Sequence, residues 1–294
     1  MIEIKDVTKR FDQKEAVSHL TLQIEPGITG IVGVNGAGKS TLFRLISDVL
    51  YPDEGTIRID GLDNKSAQAK GKLYFLSDDP YAPSSADIRE LLNFYTTYYD
   101  VDTDRFYRLI DVFGLPKNKK VNTFSKGMRR QAFIAIALSL HVEILLLDEA
   151  FDGLDPLTLA TIKSEIIRFA EGRTIVISSH NISALNQLVD RFVVIHQGKL
   201  SEEGTVEDLG EKFVKYQCIF PEGLGEEDLR KAGLNVISYQ KLGSITHFVI
   251  RGDATALEEI KKSAKPTLLE QIPITSEEIV ALQMQVAKEA EQHD

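Results

Sequence analysis

Residues 33–41 read Gly-Val-Asn-Gly-Ala-Gly-Lys-Ser-Thr, the spacing G-x-x-x-x-G-K-[ST] of a phosphate-binding loop. Each residue type there has a mechanical use. Gly33, Gly36 and Gly38 let the chain bend tightly enough for backbone N–H groups, those of Asn35 and Ala37 among them, to close around phosphate oxygens. Lys39 brings a full positive charge to the β- and γ-phosphates, and Ser40, followed by Thr41, offers a hydroxyl to Mg²⁺. A helix starting at this point adds the partial positive charge of its N-terminus. An accidental match in a chain of this length is on the order of 1 in 100 at average glycine usage, before a flanking strand and helix are required. A nucleotide site follows.

Two further stretches end in residues suited to chemistry. Ile144–Leu147 is wholly apolar and is followed by Asp148 and Glu149. Such a strand is covered on both faces, and ligands sit at the carboxyl ends of parallel strands, so both carboxylates are expected to act at the nucleotide. Residues 174–178 form a similar short apolar run leading into Ser179 and His180. A lone histidine is more often structural than catalytic. At the end of a strand beside the nucleotide strands, that preference reverses.

The elements that must position these residues can be placed in order. Residues 2–32 read as three short strands, with Phe11 in the turn after the first and the run 28–32 leading into the loop. Phe11 has two readings, an aromatic face for an adenine ring or a core residue under a hairpin. Leu42, Leu45, Ile46 and Val49 follow the loop at helical spacing. Residues 56–60 and Leu73–Leu76 are strand-like, and Ser77-Asp78-Asp79-Pro80 breaks the pattern. From Ser84 to about Lys120, Phe94, Tyr95, Tyr98, Tyr99, Phe106 and Phe113 lie among helix formers; this reads as a helical insertion whose aromatics pack internally or line a docking groove. Residues 132–140 are apolar nearly all round, a buried helix. Asp155 and Pro156 suit the cap and first position of another helix, and 192–196 pairs with 199–203 across Gln197-Gly198.

Composition bounds the function. A net charge of -10 without a basic patch argues against a nucleic-acid binder. Cys218 is the only cysteine, which excludes an internal disulfide and a cysteine metal cluster and fits a reducing cytoplasm. The start of the chain lacks the pattern of a signal peptide, and the most apolar region, 132–147, is interrupted by His141 and Glu143 and too short to span a bilayer. A soluble α/β chain is expected.

Taken together, these residues resemble the nucleotide-binding subunit of an ATP-binding cassette (ABC) transporter over about residues 1–210. Residues 33–41 match the Walker A loop, 144–149 the Walker B strand with its catalytic glutamate, 153–155 the D-loop, and His180 the switch histidine. Phe11 falls at the adenine-stacking aromatic. Two motifs depart from the common pattern. Where the family has L-S-G-G-Q, this chain has Phe124-Ser125-Lys126-Gly127-Met128, which looks like a branch of bacterial exporters of antibiotics, antimicrobial peptides or lipid-linked compounds. Where the family has a Q-loop glutamine, it has Ser77-Asp78-Asp79, and Asp78 can serve as the oxygen ligand instead.

The resemblance implies a P-loop NTPase fold: a RecA-like core with antiparallel β and α-helical subdomains, the latter at about 84–140. It implies a homodimer or heterodimer that holds ATP between Walker A of one chain and Ser125 and Gly127 of the other. Mg²⁺ would be held by Ser40, Asp148 and Asp78, with Glu149 acting on the water, His180 on the γ-phosphate and Lys39 neutralising charge. A separate transmembrane permease would be the partner, with this chain in the cytoplasm, peripheral on the inner face of the membrane. An importer subunit, a soluble cassette ATPase acting on ribosomes or DNA, and a P-loop small-molecule kinase are the competing readings. Residues 211–294 alternate strands at 235–239 and 245–251 with a helix at 254–264, and a last helix opens at a capping box of Thr275 and Glu278 with Ile279, Leu282 and Val286 on one face. A small accessory α+β domain is expected there, structural or dimer-stabilising, because no convergent polar set is visible.

Overall fold

In the computed structural model the described residues are 1–220, 225–252, 257 and 265–291. They divide into two compact units, Met1–Ser201 and Glu202–Asp294.

The first unit opens with a hairpin, β1 (Ile2–Phe11) and β2 (Lys14–Ile24), whose two-residue turn is admitted by the positive φ of Asp12. Phe11 is therefore the last residue of β1, paired with Lys14, and not a turn residue. Strand β3 (Gly27–Val32) leads through the glycine loop into α1 (Lys39–Ile46). Then come β4 (Glu54–Ile59), β5 (Leu62–Asp63), α2 (Ala67–Gly71) and β6 (Leu73–Leu76). An antiparallel sheet in the order β2-β1-β4-β5 sets Ile2, Ile4, Leu20 and Leu22 against Leu42, Phe43 and Ile46 of α1 in one core.

Three helices intervene, α3 (Ile88–Thr96), α4 (Thr103–Val112) and α5 (Lys126–Ala137). Helix α5 starts six residues before the apolar run at 132–140 and ends three before its end. The Ser125 side chain accepts from Met128 N–H and so caps the helix at Lys126; the apolar run marks only its most deeply buried part. Strand β7 (Ile144–Leu147), α6 (Pro156–Phe169), β8 (Thr174–Ser179), α7 (Ile182–Leu185), β9 (Arg191–His196) and β10 (Lys199–Gly204) complete the series. Asp155 caps α6 with Pro156 at its first position, and Gln197-Gly198, both at positive φ, turn β9 into β10.

The central sheet runs β10-β9-β3-β8-β7-β6. Strand β3 lies between β8 and β9, and β7 between β6 and β8, all pairs parallel. Every residue of β7 and β8 is buried, as parallel strands covered on both faces must be. This order decides the function: it sets the carboxyl ends of β3, β8 and β7 next to one another.

The second unit contains α8 (Val206–Gly210), β11 (Phe213–Ile219), α9 (Glu226–Lys231), β12 (Val236–Leu242), β13 (Ile245–Arg251), β14 (Leu268–Ile272) and α10 (Ser276–Glu291). Its sheet runs β12-β13-β11-β14, antiparallel throughout. One face carries a core of Cys218, Leu229, Val236, Phe248, Ile250 and Leu257; the other packs Phe213, Ile237 and Val249 against Leu282 of α10. Thr275 and Glu278 form the expected capping box of α10. The expected helix at 254–264 lies, except for Leu257, outside the described residues. Strands β11 and β14 and helix α9 were not anticipated from the sequence.

Candidate active site

The glycine loop folds as its residue types require. A Cβ on Gly33 would strike the Ile195 carbonyl oxygen, and one on Gly38, at φ +106°, would strike the Ala16 carbonyl oxygen. Gly38 sits at the N-cap position of α1 and offers no capping side chain, so the free N–H groups of that helix end remain for a ligand. A cleft of about 430 Å³ opens over the loop, lined by Asn35, Gly36, Ala37, Gly38, Lys39, Ser40 and Thr41 together with Phe11, Asp78 and Glu149. Residues from four separate parts of the sequence thus share one cavity. Lys14 and Ala16 also line it, which no sequence motif signalled.

Phe11 is 46% exposed, which removes the reading of a core residue under the hairpin. Its ring is available at the cleft wall, with Lys9 Nζ 5.7 Å from its centroid. Lys39 is buried, its ammonium 2.8 Å from the Gly33 carbonyl oxygen and 3.4 Å from Glu149 Oε1. Glu149 Oε2 lies 2.9 Å from His180 Nδ1, so lysine, carboxylate and imidazole form one chain across the ends of β3, β7 and β8. Glu149 also has φ +47°, a left-handed conformation that costs a non-glycine residue on the order of 1 kcal/mol and recurs at functional sites.

Asp148 is buried beneath this chain. Its Oδ1 accepts from Ser178 Oγ–H at 2.5 Å, while Oδ2 has no hydrogen-bond partner among the described residues. Burial raises its pKa above the ordinary carboxylate range, opposed by the Ser178 and Ser40 hydroxyls and reinforced by the charges of Asp78 and Glu149. An oxygen left unsatisfied beside Ser40 and Asp78 fits a hard cation that takes few protein ligands.

Two positioning residues escaped sequence reasoning. Ser178 binds Asp148 through its hydroxyl hydrogen and accepts Glu149 N–H at 2.9 Å, tying both acidic residues to β8. Arg130 donates to the carbonyls of Ser77, Asp148 and Glu149, joining α5 to the ends of β6 and β7. Ser178 ends an otherwise apolar run and Arg130 lies two residues before one, and neither position alone signals its role. Ser125 and Gly127 do not line the cleft; they stand at the start of α5, where a Cβ on Gly127 would come within 2.9 Å of the Gly153 carbonyl oxygen. Lys126 pairs with Asp152 in the turn beyond Glu149.

Residues 17–152 match the family described as ABC transporter. The chain is 35% identical over 229 residues to the ABC transporter ATP-binding protein NatA of Bacillus subtilis, an alignment covering 72% of this chain and 92% of that one. It is 31% identical to the bacitracin transport ATP-binding protein BcrA of Enterococcus faecalis, covering 74% of this chain and 73% of that one. It is 32% identical to the methionine import ATP-binding protein MetN of Clostridium acetobutylicum, covering 80% and 78%. Among solved structures, the ATP-binding subunit of an ABC transporter superposes with a TM-score of 0.66 at 25% identity, over 72% of this chain and 92% of that one.

Proposed function

This chain belongs to the ABC transporter ATP-binding family and is an ATPase, and from that premise we propose that it powers export through a separate membrane permease. The observation that carries this reading is the shared cleft, in which the phosphate loop, Phe11, Asp78 and Glu149 meet although 138 positions separate the first from the last.

In this reading ATP lies with its adenine against Phe11 and its phosphates in the amides of residues 33–41, where Lys39 neutralises charge. Ser40, Asp148 and Asp78 are the residues that would hold Mg²⁺, with the unpartnered Asp148 Oδ2 as the atom it would satisfy. Bound there, Mg²⁺ supplies charge neutralisation at the phosphate oxygens. Glu149 orients the attacking water and takes its proton, and His180, held at Glu149, contacts the γ-phosphate. Ser125 and Gly127 lie outside this cleft, which supports their acting on the ATP of a second cassette in a head-to-tail pair. Such a pair is a homodimer or a heterodimer with a related ATPase. The cassette ends near residues 201–210 and the remainder is an accessory α+β domain.

The permease is proposed to dock at an aromatic groove of about 370 Å³ lined by Tyr74, Phe75, Tyr81, Phe94 and Tyr98, in which Tyr81 and Tyr98 are each 70% exposed. The stretch 77–81 supplies Asp78 to the nucleotide cleft and Tyr81 to this groove, so one short segment touches both. Among the described residues no helix is long and apolar enough to cross a membrane, which fits attachment at the inner face of the membrane through such a partner. Likeness to the bacitracin transport protein and the Ser-Lys-Gly-Met form favour export; the methionine import relative supports import as the alternative.

The test is to trap the Glu149→Gln variant with ATP in its native host and purify it from gently solubilised membranes. A polytopic membrane protein is expected with it, and its identity separates export from import. Recovery of ribosomal or other soluble proteins alone would overturn the transport reading.

A further inference from the structure

On the face of the second unit's sheet that α10 covers, the packing is interrupted. Phe213, Ile237, Val249 and Leu282 close most of that interface, with Ile274 and Val286 against them. Beside them a cavity of about 210 Å³ remains, lined by residues of β11, β12, β13 and α10. It is half-open to solvent, with Gln240, Ala281 and Gln285 exposed along it, so a small solute can reach it.

The lining is sorted by chemistry. Val249 and Leu282 are buried and give the cavity an apolar wall. Lys215 and Ser238 bring an ammonium and a hydroxyl, and Gln240 stands exposed at the rim. The Lys215 side chain is only 16% exposed and its Nζ lies 2.5 Å from Glu278 Oε1. That pairing uses one of the three ammonium donors. Glu278 Oε1 takes Lys215, while Glu278 Oε2 takes the Thr275 backbone N–H as part of the α10 cap. His247 and Gln285 also line the cavity, His247 Nε2 lying 3.1 Å from Gln217 Oε1 and Gln285 Nε2 donating to the Ile237 carbonyl oxygen at 2.7 Å. The cavity therefore offers two further donors on a charged group drawn away from solvent, beside an aliphatic wall.

We propose that this cavity is a binding site for a small organic monocarboxylate, its carboxylate on Lys215 and Ser238 and its short aliphatic part against Val249 and Leu282. A carboxylate suits the two ammonium donors that Lys215 retains, and charge-assisted bonds to a shielded ammonium are the strong kind. A single negative charge suits a site with one lysine that already shares a carboxylate. A dianion would meet Glu278 without a second fixed cation to balance it. This site is independent of the nucleotide cleft, since all its residues belong to Glu202–Asp294.

The test uses the full-length chain and hexanoate as probe, with 1-hexanol and hexylamine as controls of equal length, read by isothermal titration calorimetry and by thermal shift. Saturable 1:1 binding of hexanoate is expected, with neither control binding comparably. Lys215→Gln is expected to weaken hexanoate at least about ten-fold, the loss of one charge-assisted hydrogen bond. Because Lys215→Gln also leaves Glu278 unpaired, Ser238→Leu provides a second route: it fills the cavity from β12 and is expected to abolish binding while α10 stays folded by circular dichroism. Equal binding of hexanol would show a merely apolar hole and overturn the carboxylate assignment, as would preference for the amine. Hexanoate binding that survives both substitutions, or its absence up to millimolar concentration in the wild-type chain, would overturn the site itself.

Discussion

At the scale of single residues, the site depends on how two acidic side chains are held. Asp148 is buried with one oxygen unpartnered and the other on Ser178, and Glu149 sits in a strained backbone conformation anchored by the same serine. Ser178→Ala therefore removes the partner of a buried carboxylate and of a backbone N–H at once. Its expected cost is about 1–3 kcal/mol in urea unfolding, together with a fall in ATP turnover that exceeds the fall in ATP affinity. Glu149→Gln keeps the shape and removes the base; ATP binding is expected to persist while steady-state hydrolysis drops about 10²–10⁴-fold. Near-normal hydrolysis in that variant would remove Glu149 from the mechanism. Lys39→Ala is expected to lose ATP affinity in direct titrations, since no other lysine of the loop replaces its charge.

At the scale of elements, helix termini carry both stability and chemistry. Ser125 caps α5 through its side chain and is also the residue proposed to reach the partner's ATP. Ser125→Ala should cost about 1 kcal/mol of stability, whereas Ser125→Asp retains a capping oxygen and brings a negative charge toward a phosphate. Near wild-type stability with ATP hydrolysis lost is the expected result for Ser125→Asp, and unimpaired hydrolysis would limit the residue to capping. Between α4 and α6, Arg108 holds Glu165 with both guanidinium NH groups, at 3.1 and 2.7 Å, and so keeps that carboxyl below its ordinary 4.5. A depressed carboxylate stabilises the fold above its unfolded pKa and ceases to do so as pH falls through its folded value. Glu165→Gln should thus cost about 1–2 kcal/mol at neutral pH, discounted for the half-exposed arginine, and the difference from wild type should vanish in acid below pH 4.5.

At the scale of the molecule, each unit has a core of its own, and the nucleotide cleft belongs to the first unit and the Lys215 cavity to the second. Ligand-dependent protection should therefore be local. In hydrogen exchange, ATP at a hundredfold its Kd is worth about 2.7 kcal/mol to the structure that binds it. Slowed exchange is expected at residues 33–46 and 144–149, while hexanoate should slow residues 236–250 and 276–287. Protection by ATP confined to the second unit would contradict both site assignments.

The local chemistry of this protein was legible in its residues. Phosphate-loop spacing, the apolar strand ending in Asp148-Glu149, the Asp155-Pro156 cap and the Thr275–Glu278 capping box all rest on contacts within a few positions, and such contacts leave a pattern in sequence. Strands β7, β8 and β13 were visible for the same reason, as short runs with one dominant periodicity. What tertiary structure alone decided is adjacency between distant segments. The strand order β9-β3-β8-β7 sets His180 beside Glu149, and only folding brings Phe11 out of a core reading and onto the cleft wall. Arg130 and Ser178 gain their roles from carbonyls and carboxylates on other strands, and Lys215, Ser238 and Glu278 become one polar group only when α10 closes on the sheet. Spacing along the chain encodes turns and periods; it does not encode which ends meet, because that is settled by which apolar faces bury one another.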